Sequence, residues 1–348
     1  MPPHITQPFN HHYPQLEDFW LRRDRQHDAV QTFRLCGLPL RVQANEPAVF
    51  DAVRRALSAF SAAPAIDAPA FSLQIIVRAA SWQPGPPQRD LYPTNLFAGD
   101  GEWLMIQMGA WGHAHVDLGQ RRATVVLTPE LAGEPDIVAR GVLHTIFTNL
   151  LIGSGFAMLH CTGLRHGDHV VLLMAPHNSG KSTTALRLTL NGFQLLSDSQ
   201  IYVSPFHKDV TIMGFPVGRA RLRRDMLPHF PQLHDFLQPE AVRGETKFSF
   251  DLREFDRALV HETAMKVQTV DLCLLTRGNS AETTLNPATT GQVWDTVIQN
   301  SIFYDSKAAW QRNLAAAAPL IDRARPFNLQ IGHDAEALVR CVKTLLQN

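Results

Sequence analysis

The spacing of apolar and polar residues changes character several times along the chain, most sharply between residues 158 and 199. Val170 to Ala175 is an unbroken apolar run rich in branched side chains, the pattern of a buried strand. A tight polar loop follows, Pro176-His177-Asn178-Ser179-Gly180, and then Lys181-Ser182-Thr183. Ala185, Leu186, Leu188 and Leu190 predict a helix, for which Gly192 is a good stop. Phe193 to Leu196 is a second apolar run, and it leads into Ser197-Asp198. The predicted order is strand, loop, helix, strand, aspartate.

Upstream, residues 1–28 show no period and carry Pro2, Pro3, Pro8 and Pro14, which predicts an extended arm. His11-His12 in that arm reads as polar decoration rather than a metal site. Short strands between Val30 and Val42 turn at Cys36-Gly37. Asn45 is positioned to cap a helix beginning at Glu46-Pro47, with Val49, Val53, Ala56, Leu57 and Phe60 on one face. Phe71, Leu73, Ile75 and Val77 alternate as in a strand, and Ser81 to Pro93 is a proline-dense loop. Trp103–Met108, Ala114–Leu118 and Ala123–Leu127 read as an antiparallel meander. Residues 29–130 therefore form either a small α+β domain or an extension of the main sheet. Asp136 to Ile152 is apolar nearly all round, a buried helix ended by Gly153-Ser154-Gly155. Phe156 to Cys161 is a short buried strand with His160 near its end.

Downstream, Ile201–Ser204 and Val210–Phe215 predict strands, followed by Gly218-Arg219-Ala220-Arg221-Leu222-Arg223-Arg224. Pro228 to Arg243 is polar and proline-marked, and is expected to be mobile. A strand resumes over Gly244–Phe250 with Glu245 and Lys247 on one face, and Thr269–Leu275 is a clean buried strand. Helices are expected at Ala288–Ile302 and Ala308–Leu320, a strand at Phe327–Ile331, and a closing helix at Asp334–Leu346 capped by His333 or Asp334. The fold class is α/β.

At 348 residues and 45% hydrophobic content, the chain can bury a substantial core in two domains. Lysine plus arginine equals aspartate plus glutamate at 32 each, so no global field favours nucleic acid or an anionic membrane. Cys36, Cys161, Cys273 and Cys341 lie far apart without C-x-x-C spacing, and no leader pattern opens the chain, which suits free thiols in a reducing, cytoplasmic setting. No apolar stretch approaches the roughly 18 residues of a spanning helix.

The chemistry lies in the 158–199 stretch. A loop entering a helix N-terminus aims several N–H groups, and the positive end of the helix dipole, at one point. Gly180 lets backbone approach a phosphate, Lys181 supplies a mobile cation, the Ser182 hydroxyl can ligate Mg²⁺, and Asp198 can hold that metal or its water. This is the layout of a nucleoside-triphosphate site, although Ala175 stands where the full loop pattern has its first glycine. Arg219, Arg221 and Arg223 point to one side in extended form, either toward an anionic substrate or as a solvated basic edge. His160 reads equally as a structural or a functional histidine. His113, His115 and Asp117 share a strand face and form a weaker candidate for zinc or a similar ion, against a solvated sheet face.

The segment from His160 to Asp198 resembles the catalytic core of HPr serine kinase/phosphorylase and the broader HPr-kinase-like kinases, whose P-loop fold is shared with phosphoenolpyruvate carboxykinase. His160 lies 21 residues before Lys181 and Gly192 lies six before Asp198, as in that family. Gly214-Phe215-Pro216 and Arg325-Pro326 match a later G-x-P segment and a late Arg-Pro strand of its divergent members. The resemblance is specific over residues 160–198 and loose beyond them, and residues 1–130 do not match the bacterial enzyme's N-terminal domain. It implies a P-loop kinase core over residues 131–348 that uses ATP and Mg²⁺. Asn178, Ser179, Gly180, Lys181, Ser182 and Thr183 would bind nucleotide, Ser182 and Asp198 would hold magnesium, and His160, Lys181, Asp198 and Arg219 would be catalytic. Ser199 replaces the second aspartate of the family's Asp-Asp pair, the presumed base, and a serine hydroxyl stays protonated near neutral pH. Asp198 could serve instead, or transfer could lean on positioning and charge, or catalysis could be lost. The expected activity is phosphorylation of a hydroxyl on a protein, peptide or small molecule, and the alternative is a nucleotide-binding regulatory or scaffold protein. Oligomeric state stays open.

Overall fold

The computed structural model describes residues 29–57, 70–79, 96–100, 102–176, 179–206, 209–242, 245–300 and 307–347. The arm over residues 1–28, Phe60, the loop from Ser81 to Pro93, and the loop residues His177 and Asn178 lie outside them.

β1 (Ala29–Leu35) and β2 (Leu38–Ala44) form a hairpin. Cys36 and Gly37 at its tip both take positive φ, 53° and 83°, the turn that matches strand twist. α1 (Val49–Leu57) follows, with Val49, Val53, Ala56 and Leu57 buried as the spacing predicts. Asn45 does not cap it. Its side chain accepts from the Val77 N–H at 2.8 Å and donates to the Val77 carbonyl at 2.9 Å, closing the end of a neighbouring strand instead. A side chain that can satisfy two backbone groups of an adjacent strand gains more there than at a helix start.

β3 (Phe71–Val77), β4 (Leu96–Asp100), β5 (Trp103–Gln107), β6 (Gly112–Asp117) and β7 (Arg122–Leu127) complete a seven-stranded sheet in the order β1-β2-β3-β7-β6-β5-β4. The expected meander is present over β4–β7, but β2, β3 and β7 run parallel in the middle of the sheet. A short helix at Pro135–Ile137 and a π-helical segment at Val138–Leu143 lead into α2 (His144–Gly153), the buried apolar helix read from the sequence.

The remaining strands are β8 (Ala157–Leu159), β9 (Thr162–His166), β10 (His169–Met174), β11 (Gln194–Ser197), β12 (Ile201–Ser204), β13 (Thr211–Gly214) and β14 (Arg219–Arg223), then β15 (Gln238–Val242), β16 (Glu245–Asp251), β17 (Met265–Lys266), β18 (Thr269–Arg277), β19 (Thr284–Pro287) and β20 (Arg325–Ile331). Helices α3 (Lys181–Thr189), α4 (Thr290–Asn300), α5 (Lys307–Ile321) and α6 (Ala335–Lys343) lie among them. Asp334, not His333, caps α6, its carboxylate accepting from the Glu336 N–H at 2.8 Å. Pro228 to Arg243, expected to be mobile, instead folds in its described part into 3₁₀ turns and β15, because Phe230 and Leu233 are buried and anchor it.

These strands make three further sheets, so the fold is mixed α/β. The six-stranded one, β11-β9-β10-β18-β20-β19, has β10, β18 and β20 parallel at its centre. β10 is buried on both faces: Val171 and Leu173 join the core shared with the N-terminal sheet, while Val170, Leu172 and Met174 join a second core with α4 and α5. That division explains why the run reads as continuously apolar. Among the described residues no helix is long and apolar enough to cross a membrane.

At the opposite end of the sheet from the loop after β10, Arg325 grips the fully buried Asp271 through two hydrogen bonds, 2.7 and 3.0 Å, and also donates to the Leu345 carbonyl at 3.1 Å. The Arg-Pro dipeptide of the sequence reading is thus an ion-pair anchor between neighbouring parallel strands. Replacing one partner strands a buried charge, so Arg325→Ala should lower the unfolding free energy by about 3 kcal/mol. Urea denaturation measures this, and the double variant Arg325→Met/Asp271→Asn should recover much of the loss.

Candidate functional site

Strand direction brings the sequence-predicted residues to one edge. β9 runs antiparallel to β10 and β11, so its first residues meet the last residues of both: Thr162 lies opposite Leu173, and Gly163 opposite Ser197. His160 just before β9, the loop after β10, and Asp198 just after β11 therefore converge. β18 runs parallel to β10 and ends at the same edge with Arg277.

The described residues at the two ends of the loop bond to one another. Ser179 donates from its hydroxyl to the Pro176 carbonyl at 2.7 Å. Gly180 precedes α3 at φ 102°, a left-handed position that a side chain would strain. Lys181 is buried, and its ammonium donates to the Ala175 and Pro176 carbonyls at 2.6 and 3.1 Å. Burial lowers its pKa, and attraction to Asp198 and Cys161 opposes that shift. Arg277 donates to the Ser179 carbonyl at 3.3 Å from the end of β18.

Asp198 faces this loop. It opens partly to the cleft, yet protein surrounds it densely enough that desolvation pushes its pKa up to about 6. Hydrogen bonds from Ser182 and Thr162 and the charges of Arg221 and Lys181 resist the rise. The Thr162 hydroxyl donates to the Asp198 carbonyl at 2.9 Å and reaches the carboxylate at 3.4 Å. The turn after Asp198 is tied down by Ser197, whose hydroxyl accepts from the Ser199 and Gln200 N–H groups, each at 3.3 Å. The Gln200 side chain then accepts from Tyr202 at 3.1 Å and bonds His144 at 3.0 Å, and Tyr202 meets Thr148 at 2.7 Å. Enclosure lowers the His144 pKa to about 4, so this histidine is neutral at pH 7. Gly214 passes so close beneath that a Cβ there would lie 2.0 Å from the Leu196 carbonyl oxygen.

A cleft of about 140 Å³ opens over these groups, lined by His160, Ser179 to Thr183, Asp198, Ser199, Arg221, Arg223, Asp225, Met226, Lys247 and Arg277. Asn178, predicted to bind nucleotide, lies outside the described residues. Arg219, predicted to be catalytic, shares the strand face of Arg221 and Arg223 but does not line the cleft, and its charge bears on His144 instead. Three lining residues escaped the sequence reading as site groups: Asp225, Met226 and Arg277. For Arg277 the signal was available, as the first cation beyond the buried strand parallel to β10.

The hydroxyl of Ser182 and the carboxylate of Asp198 are in contact, two hard oxygen donors of the kind Mg²⁺ takes while keeping several waters. The alternative metal face does not assemble. Asp117 turns inward to accept from the Gln120 N–H at 2.9 Å, and the His113 and His115 rings sit edge to face. Among the described residues no three His, Cys, Asp or Glu side chains are placed to hold an ion.

No known protein family and no curated protein matches the chain. Among solved structures it is similar to the Hpr(Ser) kinase/phosphatase from Coxiella burnetii, at 14% identity, covering 55% of this chain and 88% of that one, with a TM-score of 0.29. So distant a likeness assigns neither fold type nor activity.

The folded protein keeps the Asp198 proton up to about pH 6, whereas the unfolded chain releases it near 3.8. The stability this group contributes is therefore present below pH 4 and lost as pH rises through 6. His144 acts oppositely: its stability is present above pH 6.5 and lost as pH falls toward 4. Asp198→Asn should thus raise the melting midpoint at pH 7 relative to the parent, with the difference shrinking toward pH 4 in a thermal-shift series. Gly214→Ala should destabilise at every pH, because a backbone oxygen stands where the methyl must go.

Proposed function

We propose that this chain is a magnesium-dependent phosphotransferase that moves the γ-phosphoryl group of ATP to a hydroxyl on a protein, peptide or small molecule. One arrangement carries the reading: a buried lysine and a serine at the start of α3 face the recessed Asp198, with further cations around the same cleft.

Each lining group has a role that its position suits. The N–H groups at the start of α3 and the Lys181 ammonium take the β- and γ-phosphates, the ammonium exchanging a loop carbonyl for phosphate oxygen. Asn178 would contribute from the same loop. Ser182 and Asp198 would hold Mg²⁺, which when bound neutralises charge on the triphosphate. Arg277 and Arg221 stabilise charge on the transferring group. His160 orients the acceptor. The acceptor oxygen bonds to the γ-phosphorus as the bond to the β–γ bridging oxygen breaks. ADP then leaves, and the acceptor proton passes to an oxygen of the transferred phosphoryl group.

Such transfer depends chiefly on positioning and charge, so Ser199 in place of a second carboxylate does not forbid it. Ser199 on the cleft wall nevertheless favours a second reading, a nucleotide-binding regulatory protein without turnover, whose 29–130 region docks a partner. In either reading the cytoplasm is the setting we infer.

Calorimetry with ATP and Mg²⁺ should register binding, and Lys181→Ala should weaken it by at least about tenfold, the worth of one charge-assisted hydrogen bond. Affinity for the magnesium complex should rise as pH increases through about 6, because Asp198 must lose its proton to hold a cation. Incubation with γ-labelled ATP, Mg²⁺ and cell extract separates the two readings. Label on an acceptor supports transfer, and binding without any transferred label supports the regulatory protein.

A further inference from the structure

Asp198 reaches the cleft because β11 breaks step just before it. In the ladder with β9, Leu195 lies opposite Leu164 and Ser197 opposite Gly163, so Leu196 is an extra residue bulged between them. Side chains along a regular strand alternate, which would put Asp198 on the face opposite to that of Leu195. Leu195 packs with Leu164 and with Ala185 and Leu186 of α3, whereas Leu196 joins the second core with Leu172 and Met174. The bulge moves this phase by one residue. Carried one step on, the register brings Asp198 level with Thr162, and the Asp198 side chain turns to the α3 side, where it meets Ser182. Bulges beside functional sites re-aim the side chains that follow them, and here the one re-aimed is the carboxylate. The bulged Leu196 is also the residue whose carbonyl requires a glycine at position 214.

The group that meets Asp198 across this ladder is a single hydroxyl. Thr162 is fully buried. Its hydroxyl donates to the Asp198 carbonyl at 2.9 Å and lies 3.4 Å from the carboxylate Oδ1. One side chain thus holds both the main chain and the side chain of the same aspartate. Thr162 does not line the cleft, so it can act on a ligand there only through Asp198.

Building on the magnesium role given to Ser182 and Asp198 in the phosphotransferase reading, we propose that Thr162 is a positioning residue for the cation: its hydroxyl fixes the Asp198 carboxylate in the orientation that, together with Ser182, takes a divalent ion. Magnesium demands near-ideal octahedral geometry and is held by few protein oxygens, so the direction of one carboxylate matters greatly. The bulge brings the carboxylate to the α3 face, and the hydroxyl holds it there.

The test uses the full chain with a non-hydrolysable ATP analogue and Mn²⁺, a paramagnetic substitute for Mg²⁺ whose binding is followed by electron paramagnetic resonance. The parent protein should bind Mn²⁺ in the presence of the analogue. Thr162→Val keeps the branched shape without the hydroxyl, and it should weaken Mn²⁺ binding by roughly tenfold or more. Thr162→Ser keeps the hydroxyl and should retain parent-like affinity. Should the valine variant not fold, Thr162→Ala against Thr162→Ser makes the same comparison. A merely structural role would lower the urea midpoint of these variants without separating their Mn²⁺ affinities. Equal Mn²⁺ affinity with and without the hydroxyl overturns this inference alone, since metal and nucleotide are still bound. A parent protein that takes up no Mn²⁺ beside the analogue overturns the magnesium role and this inference with it.

Discussion

The site depends on a carboxylate kept where water serves it poorly. Desolvation raises the Asp198 pKa more than Ser182, Thr162, Arg221 and Lys181 together lower it, so the fold holds the ionised group in an unfavourable setting. Folds tolerate such a group where the environment completed by a ligand removes the penalty. A divalent cation beside Ser182 would do so, by replacing the missing hydration with direct coordination. The same reasoning covers Lys181, whose ammonium is buried and donates to carbonyls of its own loop.

Such a group needs a rigid setting, and the surrounding structure provides one at three levels. Antiparallel β9 ties the ends of β10 and β11 together, so the loop and the aspartate cannot separate without breaking a ladder. Behind the Asp198 turn, Gln200 joins His144, Tyr202 and Thr148 in a continuous polar chain that reaches α2. Satisfied enclosed polar networks restrict alternative packings more than apolar contacts do, because each partner lost leaves a donor or acceptor stranded. Below them, Gly214 admits a backbone contact with Leu196 that any side chain would block. The sequence shows Gly214 only as part of a short motif, and the structure supplies the reason a glycine stands there.

Local patterns carried the site further than the surrounding architecture. Uninterrupted apolar residues marked β10, and Lys181, Ser182 and Asp198 do meet, because strand, loop and helix are consecutive and leave little topological freedom. Topology among distant segments was not legible. Nothing in the alternation of Phe71 to Val77 distinguishes a strand with parallel neighbours from one in a meander, yet β3 pairs parallel with both β2 and β7. Asn45 looked like a cap because helix starts favour asparagine, and only the arrival of Val77, distant in sequence, reveals the stronger use of its side chain. The basic strand showed the same limit. Period two placed Arg219, Arg221 and Arg223 on one face correctly, but which of the three reach the cleft depends on where the strand crosses the loop.

On the proposed phosphotransferase reading, that crossing bears on the role of Ser199. A base beside the acceptor hydroxyl matters most when proton removal leads bond formation, whereas a loose phosphoryl transition state develops little charge on the attacking oxygen. In this cleft the carboxylates are few and one of them, Asp225, is committed to Arg223. Cations approach from both walls. Side chains distributed in this way suit positioning a triphosphate and neutralising its charge, as that reading requires, more than abstracting a proton. On the same proposed reading, Ser199 is a small polar residue on the cleft wall, and a carboxylate in its place would add negative charge beside the triphosphate.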